Sequence, residues 1–219
     1  MNIYVVVEGL AESMVYPCWI TLANNRLIRV WDLQEVKKDN FYIVSGMGYP
    51  QYFKKIAAAI QDVNEWPAFD RLVIAVDSEE MTREDKVIEI NGIIVKKPCR
   101  VDIKIIIQHF CLEAWALGNI RIVREHSEDE IVRRYKAIYD VRKRDPEQLP
   151  GIPEEGNTRA QFALKYLVAA VREHRYNLAP YQKRNPRILM HQTYYTQLRS
   201  RLETTGHISS FSSFMDAFE

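Results

Sequence analysis

Two short apolar runs, each followed by an acidic side chain, constrain the fold of this chain more than any other feature. The first run covers residues 3–7 and is followed by Glu8 and Gly9, and the second covers residues 72–76 and is followed by Asp77. Short β-branched runs that end at a turn signal are typical of strands buried on both faces. Such strands are usually parallel and need helical crossovers, so the pattern favours an α/β fold.

The segments between these runs alternate between helical and strand-like patterns. Further strands are predicted at residues 27–31, 41–44 and 101–107, and helices at residues 11–24, 50–64, 82–95 and 110–119. Thr82 is the expected N-cap of the third helix, with Asp85 in its first turn. Pro17 predicts a kink or an early break in the first helix. Right-handed crossovers then give a mainly parallel central sheet with helices on both faces.

The pattern changes near residue 126, after which no strand is predicted. Charged and apolar residues with helical spacing predict the remaining elements: helices at 127–142, 158–174 and 190–204 and a last short helix from residue 209, with Ser127 and Ser209 as caps. Residues 145–157 contain three prolines and two glycines, which indicates a linker. The sequence therefore predicts an α/β domain over residues 1–125 and a C-terminal helical lobe over residues 126–219.

Composition limits the partners and the compartment. The chain has 30 Lys and Arg against 29 Asp and Glu, so no global positive field attracts nucleic acid and any such contact needs a local patch. The three cysteines form no CxxC pair, which favours reduced thiols over a zinc site or a disulfide framework. Residues 3–7 are too few for a signal peptide or a membrane span, so we expect a cytoplasmic protein without membrane contact.

Four carboxylates cluster around the ends of the two apolar runs. Glu8 and Asp77 follow the runs directly, Glu12 falls in the first turn of the next helix, and Glu79 lies two residues after Asp77. In an extended strand end, residues two apart point the same way, so Asp77 and Glu79 are expected to reach one site. Converging carboxylates suit a hard divalent cation. Two structural alternatives stay open. Asp77 and Glu79 could belong to a solvated turn, and Glu12 could simply complement the dipole of its helix.

Three motifs in this order resemble the Toprim domain, which occurs in topoisomerases, bacterial primases, recombination proteins and OLD-type nucleases. VVVEGLAE at residues 5–12 is similar to the VEGxxE form found in OLD-like nucleases and small Toprim-like defence proteins. VIAVDSEE at residues 73–80 resembles the strand that ends in Asp-x-Asp, although Glu79 stands in place of the second Asp. FCLEAWALGN at residues 110–119 resembles a Glu, Trp and Leu pattern after a late strand. The resemblance covers residues 1 to about 120.

The resemblance implies a metal-dependent nuclease. Glu8, Asp77, Glu79 and Glu113 would be catalytic, and Glu8, Glu12, Asp77 and Glu79 would bind one or two Mg²⁺ or Mn²⁺ ions. Glu12 and Glu113 would serve a second ion or act as a general base. The resemblance also implies DNA or RNA as the substrate and a role in prokaryotic antiviral defence. The chain has no GxxxxGK[ST] motif, so any ATPase partner would be encoded separately.

Two other functions remain open at this stage. The first is a non-catalytic Toprim-like module that binds nucleic acid or a partner protein, with Glu79 marking altered catalysis. The second is a nucleotide phosphohydrolase or nucleotidyltransferase, because the same metal site can act on any phosphoryl group.

A few further residues invite a functional or a structural interpretation. Lys104 is a candidate for transition-state charge, with an outward-facing strand residue as the preferred alternative. Ser45 and Gly48 could bring backbone amides near a phosphate, and His109 could bind metal, although a satisfied, partly buried histidine is favoured. Basic and aromatic residues mingle in the C-terminal half and could grip nucleic acid, or form an ordinary helical core: Arg172, Arg175, Tyr176, Tyr181, Lys183, Arg184, Arg187, Tyr194 and Tyr195.

Overall fold

A five-stranded parallel sheet forms the centre of the N-terminal half. The structure is a computed structural model that describes residues 1–174 and 180–218. The strands are β1 (Ile3–Val7), β2 (Ile28–Val30), β3 (Asn40–Ser45), β4 (Arg71–Asp77) and β5 (Asp102–Gln108). Their order in the sheet is β2-β3-β1-β4-β5, and all run parallel. The predicted α/β class with a helical C-terminal region is confirmed.

Helices connect the strands and are the main regular elements of the second half. The helices are α1 (Leu10–Ala23), α2 (Gln51–Glu65), α3 (Arg83–Ile94), α4 (Leu112–Ala116), α5 (Glu130–Ile138), α6 (Arg159–His174), α7 (Gln192–Thr205) and α8 (Phe211–Phe218). α1 leads from β1 to β2, α2 from β3 to β4, and α3 from β4 to β5. This is the alternation that a parallel sheet requires.

β1 lies in the middle of the sheet and is buried on both faces. Its last residue, Val7, pairs in register with Ser45 of β3 and with Ala75 of β4. Tyr4 and Val6 pack in one core cluster with the inward faces of α2 and α3, while alternate residues of β1 are buried on the opposite face. Two-sided burial explains why the strand sequence is continuously apolar rather than alternating.

Two local predictions about α1 and its neighbours can be compared with the structure. The early break expected at Pro17 is wrong, because α1 runs unbroken from Leu10 to Ala23. Tyr16 and Trp19 of this helix pack edge-on against Phe214 of α8, with ring centroids 5.0 and 5.9 Å apart. Burial of these large rings outweighs the loss of one helical hydrogen bond at proline.

Side-chain caps set the beginnings of two helices. The hydroxyl of Thr82 accepts a hydrogen bond from the backbone N–H of Asp85, which confirms the predicted cap of α3. The predicted cap of α5 at Ser127 is wrong, since Asp129 accepts from the N–H groups of Ile131 and Val132 and the helix begins after it. A carboxylate at this position satisfies two backbone donors at once.

The chain divides into two compact units whose bounds differ from the division predicted near residue 125. The first unit comprises Met1–Val76, Thr82–Ile107 and Ser213–Glu219, and the second comprises Asp77–Met81 and Gln108–Ser212. α4 thus belongs with the helices. Trp115 of α4 donates from its indole nitrogen to the hydroxyl of Ser210 and packs on Phe211 of the same unit. These contacts join residues that are far apart in the chain, so no linker-like sequence pattern marks where the units divide.

Candidate functional site

In the first unit, Glu8 follows β1 directly and is 9% exposed. The loop after β3 is tied to this point by two backbone hydrogen bonds, from the N–H of Gly46 to the carbonyl of Val7 (2.7 Å) and from the N–H of Gly48 to the carbonyl of Glu8 (2.9 Å). The N–H of Met47 is 3.3 Å from the hydroxyl of Ser45. These amides are used within the fold, so the loop positions Glu8 rather than offering a ready phosphate cradle.

Glu12 is a second buried carboxylate in the same unit. It lies in the first turn of α1 and is 6% exposed. A Cβ atom added at Gly9 would lie only 2.7 Å from a carboxylate oxygen of Glu12, so the glycine leaves room for this side chain. Burying carboxylates is costly unless the surroundings stabilise them, and the N-terminal turn of α1 favours negative charge.

A buried lysine in the same unit has no counterpart among the residues that the sequence suggested. Lys86, on α3, is 5% exposed; its ammonium group lies 2.8 Å from the carboxylate of Glu89 and 3.3 Å from the hydroxyl of Tyr52. Burial, followed by the negative charges of Glu89 and Glu8, raises the pKa of Tyr52. The one available signal is that Lys86 precedes the buried Ile90 by four residues, which places both on the inward stripe of α3.

Lys104, the cation suggested by the sequence, is placed differently. Its side chain is 45% exposed, and its ammonium group lies 3.3 Å from the carboxylate of Asp102 on the same strand. The structure therefore agrees with the preferred interpretation of Lys104 as an outward-facing strand residue. Lys86 is instead a buried cation, and it contacts Tyr52, whose pKa the charge of Glu8 also raises.

In the second unit, Asp77 is held by the end of β5. It is 8% exposed, and one of its carboxylate oxygens accepts a hydrogen bond from the side-chain amide of Gln108. Two backbone hydrogen bonds follow in the next residues. The N–H of Ser78 donates to the carbonyl of Gln108 (3.1 Å), and the N–H of Glu79 donates to the carbonyl of Phe110 (2.9 Å). The position of Asp77 is thus fixed from both backbone and side chain.

Glu79 does not continue the strand that carries Asp77. β4 ends at Asp77, and Glu79 has a φ angle of 49° in an exposed turn. The expected extended conformation is therefore wrong here, and the alternation rule does not orient the two carboxylates alike. The physical reason is the left-handed backbone at Glu79, which redirects the chain into the loop before α3.

His109 and Glu113 both engage neighbours within the second unit. The Nδ1 atom of His109, which is half-buried, lies 2.8 Å from the hydroxyl of Ser78. Glu113 is 1% exposed, accepts a 2.8 Å hydrogen bond from the hydroxyl of Tyr181, and lies 3.9 Å from the ammonium group of Lys183. Burial and the negative charges of Glu113 and Asp77 raise the pKa of the Cys111 thiol well above its ordinary value.

The suggested basic and aromatic patch divides into core and surface residues. Tyr181, Tyr194 and Tyr195 are buried, whereas Lys183, Arg184 and Arg187 are exposed. Arg172 forms an ion pair of 2.6 Å with Asp129. Arg175 and Tyr176 lie outside the described residues. The tyrosines thus belong to the helical core, and the exposed cations are left as the candidate contacts for an anionic partner.

Whether these carboxylates can bind a divalent cation depends on the chemistry of their donor atoms. Within residues 1–174 and 180–218, no group of three or more His, Cys, Asp or Glu side chains is arranged to hold a metal ion. Mg²⁺, however, is usually bound by one or two carboxylates together with water and substrate phosphates. Glu8 and Asp77 are hard oxygen donors of that kind, so their chemistry fits such a cation.

No helix in the described part of the chain is both long enough and apolar enough to cross a membrane. No protein family, curated protein or solved structure matches the chain.

Proposed function

We propose that this protein cleaves phosphodiester bonds of DNA or RNA with the help of Mg²⁺ or Mn²⁺, as its resemblance to Toprim-type nucleases implies. The adjacency of β1 and β4 carries the proposal. These parallel strands are neighbours in the sheet, and each reaches its carboxyl end at an acidic residue, Glu8 after β1 and Asp77 at the end of β4. Ligands of open parallel sheets bind beyond the carboxyl ends of the strands.

The roles of the residues follow from their chemistry. As the resemblance implies, Glu8 and Asp77 would each be a carboxylate ligand of the cation. When bound, Mg²⁺ or Mn²⁺ supplies Lewis-acid stabilisation of the phosphate and lowers the pKa of a bound water. Gln108 fixes the carboxylate of Asp77 through its side-chain amide.

The biological setting of this activity is part of the same proposal. The resemblance supports a role in prokaryotic antiviral defence, with an ATPase encoded separately as partner. A cytoplasmic location is supported by three cysteines that are all free thiols: Cys18, Cys99 and Cys111.

A cleavage assay on the full chain tests the proposal. We expect single-stranded and double-stranded DNA or RNA to be cut with Mg²⁺ or Mn²⁺ and to stay intact with EDTA. Glu8→Gln and Asp77→Asn should each lower the rate at least about 100-fold, because removing one charge-stabilising group typically costs about 10²–10³ in rate. Glu84→Gln, at an exposed carboxylate on α3, is the matched control and should leave the rate unchanged.

A non-catalytic binding module is the second candidate, favoured by the exposed left-handed turn at Glu79. Under that function the chain would bind nucleic acid or protein, and neither metal nor the substitutions at Glu8 and Asp77 would change binding. Failure of wild-type protein to cut any nucleic acid with either metal, with folding intact, would sink the nuclease proposal. Turnover of free nucleotides alone would instead indicate a phosphohydrolase.

A further inference from the structure

The second unit contains a cavity of about 490 Å³ with a basic lining. Among the described residues that line it, none is an Asp or a Glu and four are basic: Arg121, His174, Arg187 and His191. The volume falls within the range of about 300–1,000 Å³ typical of small-molecule sites. A concave surface with several bases and no acids favours an anionic ligand.

The two arginines of this cavity differ from Arg172 of the same unit. Neither Arg121 nor Arg187 has an ion-pair partner among the residues that the structure describes, and both are exposed. Arg172, by contrast, pairs with Asp129 at 2.6 Å. The guanidinium groups of Arg121 and Arg187 are therefore available for a carboxylate or phosphate, which arginine binds with paired hydrogen bonds.

The beginning of α7 adds a second, independent source of positive potential. His191 is the N-cap residue of this 14-residue helix and lines the cavity together with Thr193 and Tyr194. The helix start has no side-chain cap hydrogen bond and no acidic residue in its first turn. A helix N-terminus in that state attracts anions through its backbone N–H groups and its dipole.

The other lining residues indicate the chemistry of the uncharged part of the ligand. Three side-chain amides, those of Asn119, Asn185 and Gln197, can both donate and accept hydrogen bonds. Tyr194 and Ile122 provide apolar surface next to them. Amides beside an apolar surface suit a ligand with a planar ring, which has hydrogen-bonding groups at its edge and apolar faces.

We propose that this cavity binds a nucleoside monophosphate, with the phosphate at Arg121, Arg187 and the start of α7 and the base against the amides and Tyr194. The site lies within one unit and uses none of the carboxylates assigned to phosphodiester cleavage. It therefore goes beyond the proposed function, and it can fail or hold independently of that function.

Isothermal titration calorimetry with the full chain, in the absence of divalent metal, tests the site. The probes are AMP, GMP, CMP and UMP, with adenosine and inorganic phosphate for comparison. We expect saturable binding of at least one monophosphate and at least tenfold weaker binding of adenosine. Arg121→Gln and Arg187→Gln should each weaken monophosphate binding at least tenfold, and Thr193→Trp should block the cavity.

Matched controls separate the cavity from general charge and from misfolding. Arg184→Gln removes an exposed arginine that does not line the cavity, and Thr196→Trp adds the same bulk on α7 outside it. Both controls should bind like wild type, and all variants should keep the wild-type melting temperature within a few degrees. The proposal is overturned if no monophosphate binds, if adenosine binds as tightly as AMP, or if Arg184→Gln weakens binding as much as Arg187→Gln. Binding of inorganic phosphate as tight as that of every monophosphate would overturn the nucleoside assignment.

Discussion

Tyr181 donates a 2.8 Å hydrogen bond from its hydroxyl to the carboxylate of Glu113, and both side chains are almost fully buried. The bond joins α4 to a segment 68 residues away in sequence. Tyr181 is also part of the wall of the basic cavity. Glu113, which the sequence suggests as a catalytic carboxylate, therefore holds one wall of the cavity in place.

Tyr181→Phe should destabilise the protein because it leaves the buried oxygen of Glu113 without this donor. We expect a loss of about 1–3 kcal/mol in the free energy of unfolding, measured by urea denaturation. Tyr49→Phe, at a residue that is 62% exposed, is the control and should change stability by less than about 0.5 kcal/mol. Equal effects of the two substitutions would contradict the structural role of the Tyr181 bond.

Lys86 should matter more to stability than an exposed lysine of the same unit. Lys86→Met keeps the apolar stem but removes the donor to Glu89 and Tyr52, so we expect a loss of about 1.5–3 kcal/mol in urea denaturation. Lys55→Met, on the exposed face of α2, should be nearly neutral. If Lys86→Met were as stable as wild type, the buried cluster would contribute nothing to folding.

Glu147 should make stability depend on pH. It is 2% exposed and accepts hydrogen bonds from Trp115, Ser209 and Ser210, yet burial raises its pKa above the ordinary value of 4.5. A raised pKa in the folded state means that folding favours the protonated carboxyl. The associated stability is complete below the unfolded pKa and is lost as the pH rises through the folded pKa.

Glu147→Gln resembles the protonated side chain at every pH. The stability of this variant relative to wild type should therefore improve as the pH rises above the ordinary glutamate pKa of 4.5, as followed by urea denaturation at several pH values. Glu154→Gln, at an exposed residue, is the control for the substitution itself and is measured at the same pH values. A relative stability of Glu147→Gln that falls with rising pH would reverse the sign of this prediction.

Gly46 should tolerate no side chain. A Cβ atom there would lie 2.4 Å from Cβ and 2.9 Å from Cα of Tyr52, and 3.2 Å from the carbonyl oxygen of Glu8, so the backbone would have to shift. We expect Gly46→Ala to cost at least about 1–3 kcal/mol, the range for overpacked sites. Gly92→Ala, on an open face of α3, should instead stabilise by about 0.4–1 kcal/mol in thermal or urea denaturation.

The parallel sheet could be predicted because its signal is local. Runs such as residues 3–7 are apolar throughout, and burial on both faces of a sheet requires that pattern. The cap at Thr82 was predictable for the same reason, since Thr82 and Asp85 are neighbours in sequence. The break expected at Pro17 was wrong because Trp19 of the same helix packs against the distant Phe214 and supports the helix.

The surroundings of the candidate site residues could be predicted only in part. The sequence identified Glu8 and Asp77 from their positions after apolar strands, but the backbone at Glu79 turns left-handed against the expected extension. Lys86 and Gln108 were missed because their importance depends on burial and on partners in other elements. Neither quantity is visible in a single sequence.

By itself the sequence determined the α/β class, the strand and helix order, and the acidic residues after β1 and at the end of β4, because periodicity and local turn chemistry act over a few residues. Only the tertiary structure decided which charged groups are buried, which partners hold Glu113, and that Arg121 and Arg187 line one cavity with the start of α7. Those outcomes depend on contacts between residues far apart in the chain, where packing and desolvation outweigh local preference.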